Sequence, residues 1–155
     1  MRKFSDSFKY AISGIKFVVV NQRNFRIQLA IGAAVLVGSI IFDFSATEIL
    51  WLTFAVFFVL MGEAVNTLIE EIMNVIHPEY SKHVKNVKDA AAGVVLISSV
   101  FAVSVGVVVM GSHFFNWKPQ VGAIIALVFV AFSVTLGVIG GIINGRRKDK
   151  GADSR

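Results

Sequence analysis

Three glutamates, Glu63, Glu70 and Glu71, lie in MGEAVNTLIEEI (residues 61–72), directly after the apolar run ILWLTFAVFFVL. Set on a helix at about 100° per residue from Glu63, Asn66 falls near about −60°, Thr67 near about +40°, Glu70 near about −20° and Asn74 near about +20°. These side chains make one polar stripe about 16 Å long, while Val65, Leu68, Ile69, Ile72 and Ile76 point away and Glu71, at about 80°, lies off it. If a span enters the bilayer near Thr47, roughly 20 apolar residues bring its inner boundary close to Leu68. Glu63 is then submerged by about 8 Å, with Glu70 and Glu71 at headgroup level. A carboxylate at that depth is costly and is seldom kept without a partner or a task. Glu63 there suits a general base or a proton relay. Glu70, at the aqueous boundary, can hold Mg²⁺, which favours one or two carboxylates together with phosphates and water. The separation of about 10 Å along the axis sets an acceptor in the lipid apart from a donor in the cytosol. That geometry suits phosphorylation of a lipid hydroxyl at the membrane surface. The plainer alternative makes Glu63, Asn66 and Thr67 interhelical hydrogen-bond glue, although Asn and Thr alone would serve that purpose more cheaply.

The elements that must hold this stripe follow from composition. Of 155 residues, 55% are hydrophobic and 16% charged, and the mean hydropathy of +0.73 matches an integral membrane protein, not a soluble domain. Two prolines and four long apolar runs imply helices, not a barrel. The absence of cysteine excludes disulfides, thiolate metal sites and thiol catalysis. Requiring roughly 17–25 apolar residues each places spans at about 27–42, 47–69 with a helical extension to about 76, 90–110 and 121–144. The first begins too late, after too basic a segment, to be a cleavable signal peptide, and is read as a permanent span.

Orientation follows from the basic residues. Arg2, Lys3, Lys9, Lys16, Arg23 and Arg26 precede the first span, Lys82, Lys85 and Lys88 lie between the second and third, and Arg146, Arg147, Lys148, Lys150 and Arg155 follow the fourth. Only Lys118 falls on the other side, in the outer loop GSHFFNWKPQ. Both termini are therefore expected in the cytoplasm of a cell whose inner membrane holds this multi-pass chain. The net charge of +5 then reflects topology and attraction to anionic headgroups, with no nucleic-acid partner. In the N-terminal segment, Phe4, Phe8, Ala11, Ile12, Ile15 and Val19 recur at helical spacing, with Lys3, Lys9 and Lys16 largely on the remaining arc. This pattern predicts an amphipathic helix lying in the inner leaflet's interface, against the alternative of a solvated basic arm.

The loop after the stripe, HPEYSKHVKNVKDAAAGVVL, supplies Lys88, which can neutralise phosphate or serve as an ordinary inside anchor, and Asp89, placed to cap the third span's helix. The small residues from Ala90 to Gly93 allow that helix to approach a neighbour closely. In the fourth span Gly137, Gly141 and Gly145 fall at i, i+4 and i+8, a packing face.

Taken together, GEAVNTLIEEI, PEY and KDAAAGVVLI, preceded by SFKYAISGIKFVVVNQRNFRIQ, resemble the small bacterial membrane lipid kinases, the family of prokaryotic diacylglycerol kinase and undecaprenol kinase. The resemblance runs from about Ser7 to Met110 and is strongest to the undecaprenol kinase branch. It implies an ATP-dependent kinase of a membrane lipid alcohol, undecaprenol in preference to diacylglycerol. It assigns Glu63 as catalytic base, with Asn66 lining the same site one turn on. Glu70 would help bind Mg²⁺ of the metal–ATP complex, and Lys88 and Asp89, with Tyr80 adjoining, would form the nucleotide site. It also implies a homotrimer with sites shared between protomers, each of three spans and a surface helix. There is no P-loop: GGIINGRR has the glycine spacing without the lysine and the Ser or Thr. Three positions depart from the family pattern. Gln22 stands where a second metal-binding glutamate is usual, Asn74 where an aspartate is usual, and Ser81 where a histidine often follows EY, with His83 nearby. A neutral amide is the weaker Mg²⁺ ligand.

The expected fold is thus an all-α polytopic membrane protein, an N-terminal amphipathic interfacial helix followed by four transmembrane helices. A kinase-like membrane domain is expected over residues 1–115, an additional span over 116–145 and a basic tail over 146–155. Two rival readings remain. A catalytically weak or inactive relative acting as a membrane interaction or regulatory protein is motivated by Gln22 and Asn74. A small proton-coupled transporter would also use an intramembrane Glu, but the sequence shows no broken helix or internal repeat to support it.

Overall fold

The computed structural model describes residues 4–79 and 81–152, and the side chains of these apart from 119, 136 and 141–152. Five helices follow one another: α1 (Phe4–Asn21), α2 (Arg23–Ile41), α3 (Ala46–Ile76), α4 (Lys82–Phe115) and α5 (Pro119–Ala152). Four carry segments long and apolar enough to cross a membrane, Arg23–Ile41, Ala46–Ile76, Lys82–Phe115 and Gln120–Gly140. The chain is a multi-pass helical membrane protein. It divides into two compact units, Met1–Ala102 and Val103–Arg155.

In the first unit, α1 buries none of its residues. Phe4, Phe8, Ile12 and Ile15 stand exposed along it, Phe4 by 88%, as an amphipathic helix does when its apolar face is meant for lipid. Arg26 Nη1 donates to the carbonyls of Val19 and Val20 at 3.1 and 2.6 Å. It thereby places a cation on the free carbonyls at the C-terminus of α1, where the helix dipole favours positive charge. Gln22 alone separates α1 from α2 and takes extended backbone angles.

The turn between α2 and α3 passes through Asp43 at φ 57°, a left-handed conformation that Asp tolerates better than most side chains. A capping box then starts α3. Ser45 Oγ accepts from the Glu48 backbone N–H, and the Glu48 carboxylate accepts from the Ser45 N–H at 2.8 Å. Helix α2 lies along α3, and Gly32 marks their close approach, since a Cβ there would come within 2.5 Å of Val56 Cγ1. A second close approach joins α3 to α4, where a Cβ on Gly62 would stand 2.6 Å from Ser98 Oγ. Towards the other end of that contact, the Phe101 ring meets Phe54 and Phe58 edge-on, at centroid distances of 5.8 and 5.2 Å.

The helix that carries the third span starts earlier than a cap at Asp89 would place it. Helix α4 begins at Lys82, not near residue 90, because Ser81 supplies the cap: its Oγ accepts from the Val84 N–H at 3.1 Å. Asp89 therefore lies inside the helix and caps nothing. Its carboxylate instead pairs with Lys85 one turn earlier.

In the second unit, the chain leaves α4 through Asn116 at φ 51°, and the Trp117 N–H donates to the Gly111 carbonyl at 3.3 Å. Gly122 of α5 packs against Val108 of α4, where an added Cβ would meet backbone and side chain at 3.3 Å. Of the expected glycine face, a Cβ on Gly137 would meet nothing within 4 Å among the described residues. Gly141 and Gly145 fall outside the described side chains.

Candidate active site

Helix α3 turns its polar stripe inward. Glu63, Asn66 and Thr67 are buried, Glu63 to 2% exposure, together with Leu52, Ala55 and Gly62 on the same face. Leu68, Ile72 and Ile76 face outward, Leu68 by 59%. This reverses the pattern of a soluble helix, because lipid is the cheaper environment for the aliphatic face and protein for the polar one. Small residues make the burial possible: Gly62 lets Ser98 of α4 close over the helix immediately beside Glu63.

The side chains on this face make separate hydrogen bonds. Thr67 Oγ1 donates to the Glu63 carbonyl at 2.9 Å, so its hydroxyl is committed to its own helix. The Glu63 carboxylate accepts from Gln28 Nε2 of α2 at 3.5 Å, a long bond. One turn on, Asn66 Nδ2 donates to Glu70 Oε1 at 3.2 Å. The two amide oxygens, Gln28 Oε1 and Asn66 Oδ1, are buried with no hydrogen-bond partner among the described residues. The site thus gathers two carboxylates and two acceptor oxygens and has no cation among these residues. Such a set calls for a donor such as a hydroxyl group, or for a metal ion.

At the foot of the stripe, Lys88 of α4 donates from Nζ to Asn74 Oδ1 at 2.7 Å. Lys88 is thereby held at the end of the face that carries Glu63 and Glu70. Asp89 turns instead to Lys85, in an exposed i, i+4 pair of little energetic weight. Gln22 sits at the junction of α1 and α2 and makes no side-chain cap bond. Tyr80 lies outside the described residues.

The sequence reading missed Gln28. The signal was present, an amide inside FRIQLAIGAAVLV, where a polar side chain in a span asks for an interhelical partner.

Among the described residues no group of three or more His, Asp or Glu is assembled for a metal. The donors that are present still suit Mg²⁺ held mainly by nucleotide phosphates and water: one carboxylate, Glu70, and the unpartnered amide oxygen of Asn66 beside it.

The sequence model of prokaryotic diacylglycerol kinase matches residues 9–110, which include the whole of this face and Lys88. The chain belongs to the prokaryotic diacylglycerol kinase family. Two relatives carry names from both branches of that family. A diacylglycerol kinase of Synechocystis sp. is 34% identical over 101 residues, 64% of this chain and 58% of that protein. An undecaprenol kinase of Bacillus subtilis is 31% identical over 114 residues, 70% of this chain and 89% of that protein. The matched segment thus spans little over half of the Synechocystis kinase and most of the Bacillus one. The family match ends before α5.

Proposed function

We propose that the chain is an ATP-dependent lipid kinase that transfers the γ-phosphoryl group to the hydroxyl of a membrane lipid alcohol, undecaprenol in preference to diacylglycerol. The observation that carries this reading is the single inward face of α3, with Glu63 buried among α2 and α4 and Glu70 about two turns further along it. The lipid oxygen forms the new bond to the γ-phosphorus, the bond to the bridging β-oxygen breaks, and ADP leaves. Glu63 takes the hydroxyl proton. Asn66 holds the Glu70 carboxylate in place through its amide N–H. Glu70, with Asn66 Oδ1, would hold Mg²⁺ of the metal–ATP complex, which when bound supplies neutralising charge to the phosphates. Lys88, steered by Asn74, adds positive charge to the transferred group.

The same reading places the chain in the cytoplasmic membrane with both termini inside, supported by fourteen basic residues on the inner side and Lys118 alone on the outer. Family resemblance extends it to a homotrimer with shared sites.

The test is phosphoryl transfer from labelled ATP to each lipid alcohol in mixed micelles. Glu63→Gln, nearly isosteric, should fold and insert like the wild type while losing about 10²–10⁴ of the activity. Residual activity within about tenfold of wild type would remove Glu63 from the role of base. A wild-type protein that phosphorylates neither lipid would support the inactive-relative reading.

A further inference from the structure

Among the described residues, Gln28 of α2 is the side chain that donates a hydrogen bond to the Glu63 carboxylate, and it uses one end only. Its Nε2 stands 3.5 Å from Glu63 Oε2, long for a bond to a charged acceptor, which normally runs at about 2.7–2.9 Å. Its Oε1 is buried with no hydrogen-bond partner among the described residues. An amide kept only as glue between helices would have both ends engaged, since an orphaned buried acceptor is a cost that Leu or Met would avoid. The other polar groups around Glu63 are committed elsewhere. Thr67 and Ser98 give their hydroxyl hydrogens to the carbonyls of Glu63 and Val95, and Asn66 Nδ2 turns to Glu70.

We propose that Gln28 is the positioning residue that holds the base in both of its states, donating from Nε2 to the Glu63 carboxylate before phosphoryl transfer and accepting at Oε1 from the Glu63 carboxyl O–H after it. The part of Glu63 as base rests on the lipid kinase reading. The remaining argument is chemical. An ionised carboxylate only accepts hydrogen bonds, whereas a protonated one brings a donor. A primary amide carries a donor and an acceptor on one carbon, so a half-turn about its terminal torsion exchanges them, and that torsion is broad and roughly two-fold. The half-turn breaks no bond at Oε1, which has no partner among the described residues to lose. The proton itself passes from the lipid hydroxyl to Glu63, and Gln28 neither takes nor gives one. A cation in this place would favour the ionised base alone, and a second carboxylate the protonated one alone. The neutral amide suits both.

The first readout needs no turnover. Full-length protein in nanodiscs, without ATP, is acidified and followed by infrared difference spectroscopy, the protonated Glu63 carboxyl being identified by the loss of its band in Glu63→Gln. In the wild type that band should lie at the frequency of a hydrogen-bonded carboxyl. In Gln28→Met, close in volume but without donor or acceptor, it should move up to that of a free one. The same frequency in both proteins would overturn the pairing, and so would the lack of any Glu63 band down to the pH of unfolding. In turnover, Gln28→Met should lower kcat about tenfold with the KM for ATP unchanged. Gln28→His, whose neutral ring offers one donor and one acceptor, should recover most of that loss. A packing role alone predicts the reverse order, with Met tolerated better than His, and that order would sink the proposal. Should Gln28→Met not insert, wild type and Gln28→His are compared by the same two readouts. A hydrogen-bonded band with retained kcat is then expected, and a free band or a loss beyond about tenfold overturns the assignment. If the band shifts as expected while the protein phosphorylates no lipid, the pairing stands and the kinase reading fails.

Discussion

Glu63 receives its one side-chain hydrogen bond among the described residues from Gln28, an amide on a different helix and 35 positions earlier in the chain. A buried carboxylate left without a donor is penalised by about 1–3 kcal/mol or more. Gln28→Leu, which keeps the volume and removes the donor, should therefore lower the thermal midpoint and reduce kcat by about tenfold or more while the KM for ATP stays put. A raised KM for ATP with unchanged kcat would place Gln28 at the nucleotide and not at the base. At the foot of the stripe Lys88 donates to a neutral side chain, Asn74, and not to a carboxylate, which fits the proposed part of the lysine at the nucleotide phosphates. Asn74→Asp should form an ion pair with Lys88 and raise the KM for ATP. An unchanged KM in a steady-state titration would show that Lys88 does not meet the nucleotide.

Helices α3 and α4 meet where glycine permits it. With Ser98 Oγ 2.6 Å from the position of a Cβ on Gly62, an added methyl must push the serine or the helix aside, and overpacking of this kind costs about 1–3 kcal/mol. Gly62→Ala should lower the thermal midpoint and reduce activity, because Glu63 is the next residue and moves with the helix. Among the described residues Ser98 donates to the Val95 carbonyl of its own helix, so Ser98→Ala gives up little and relieves the contact. The double variant Gly62→Ala/Ser98→Ala should regain a large part of the loss in a double-mutant cycle. Strict additivity of the two changes would show that the glycine is needed for another reason.

Among the described residues, Ser39, Glu63, Asn66, Thr67 and Ser98 of the first unit are buried, while Leu68 and Ile97 there and Leu127 in the second unit are more than half exposed. A bilayer is the environment in which that arrangement is stable. The family match ends at residue 110, and α5 carries no ionisable residue between Val121 and Ile143, so the fourth span is expected to serve stability or assembly. A chain truncated before Pro119 should still insert with its N-terminus inside, since the basic residues ahead of the first span remain. It should keep its lipid preference while losing thermal stability or oligomer integrity. Activity against undecaprenol and diacylglycerol, with oligomer mass in detergent, checks this. A truncated chain that stays intact but changes or loses its lipid acceptor would make α5 part of the substrate site.

The residue order alone determined that this is a helical membrane protein with a surface helix and four spans, and that Glu63, Asn66 and Glu70 share a face. Both conclusions rest on rules that run along one chain direction: apolar length set by bilayer thickness, and azimuth set by about 100° per residue. What lies between helices was settled only by packing. Gln28 meets Glu63, Lys88 meets Asn74, and Asp89 turns to Lys85 within an earlier-starting helix. Periodicity fixes which residues of one helix are neighbours. Which face of a second helix they meet depends on rotation and closeness of approach, and here glycines at 32 and 62 set that closeness against Val56 and Ser98.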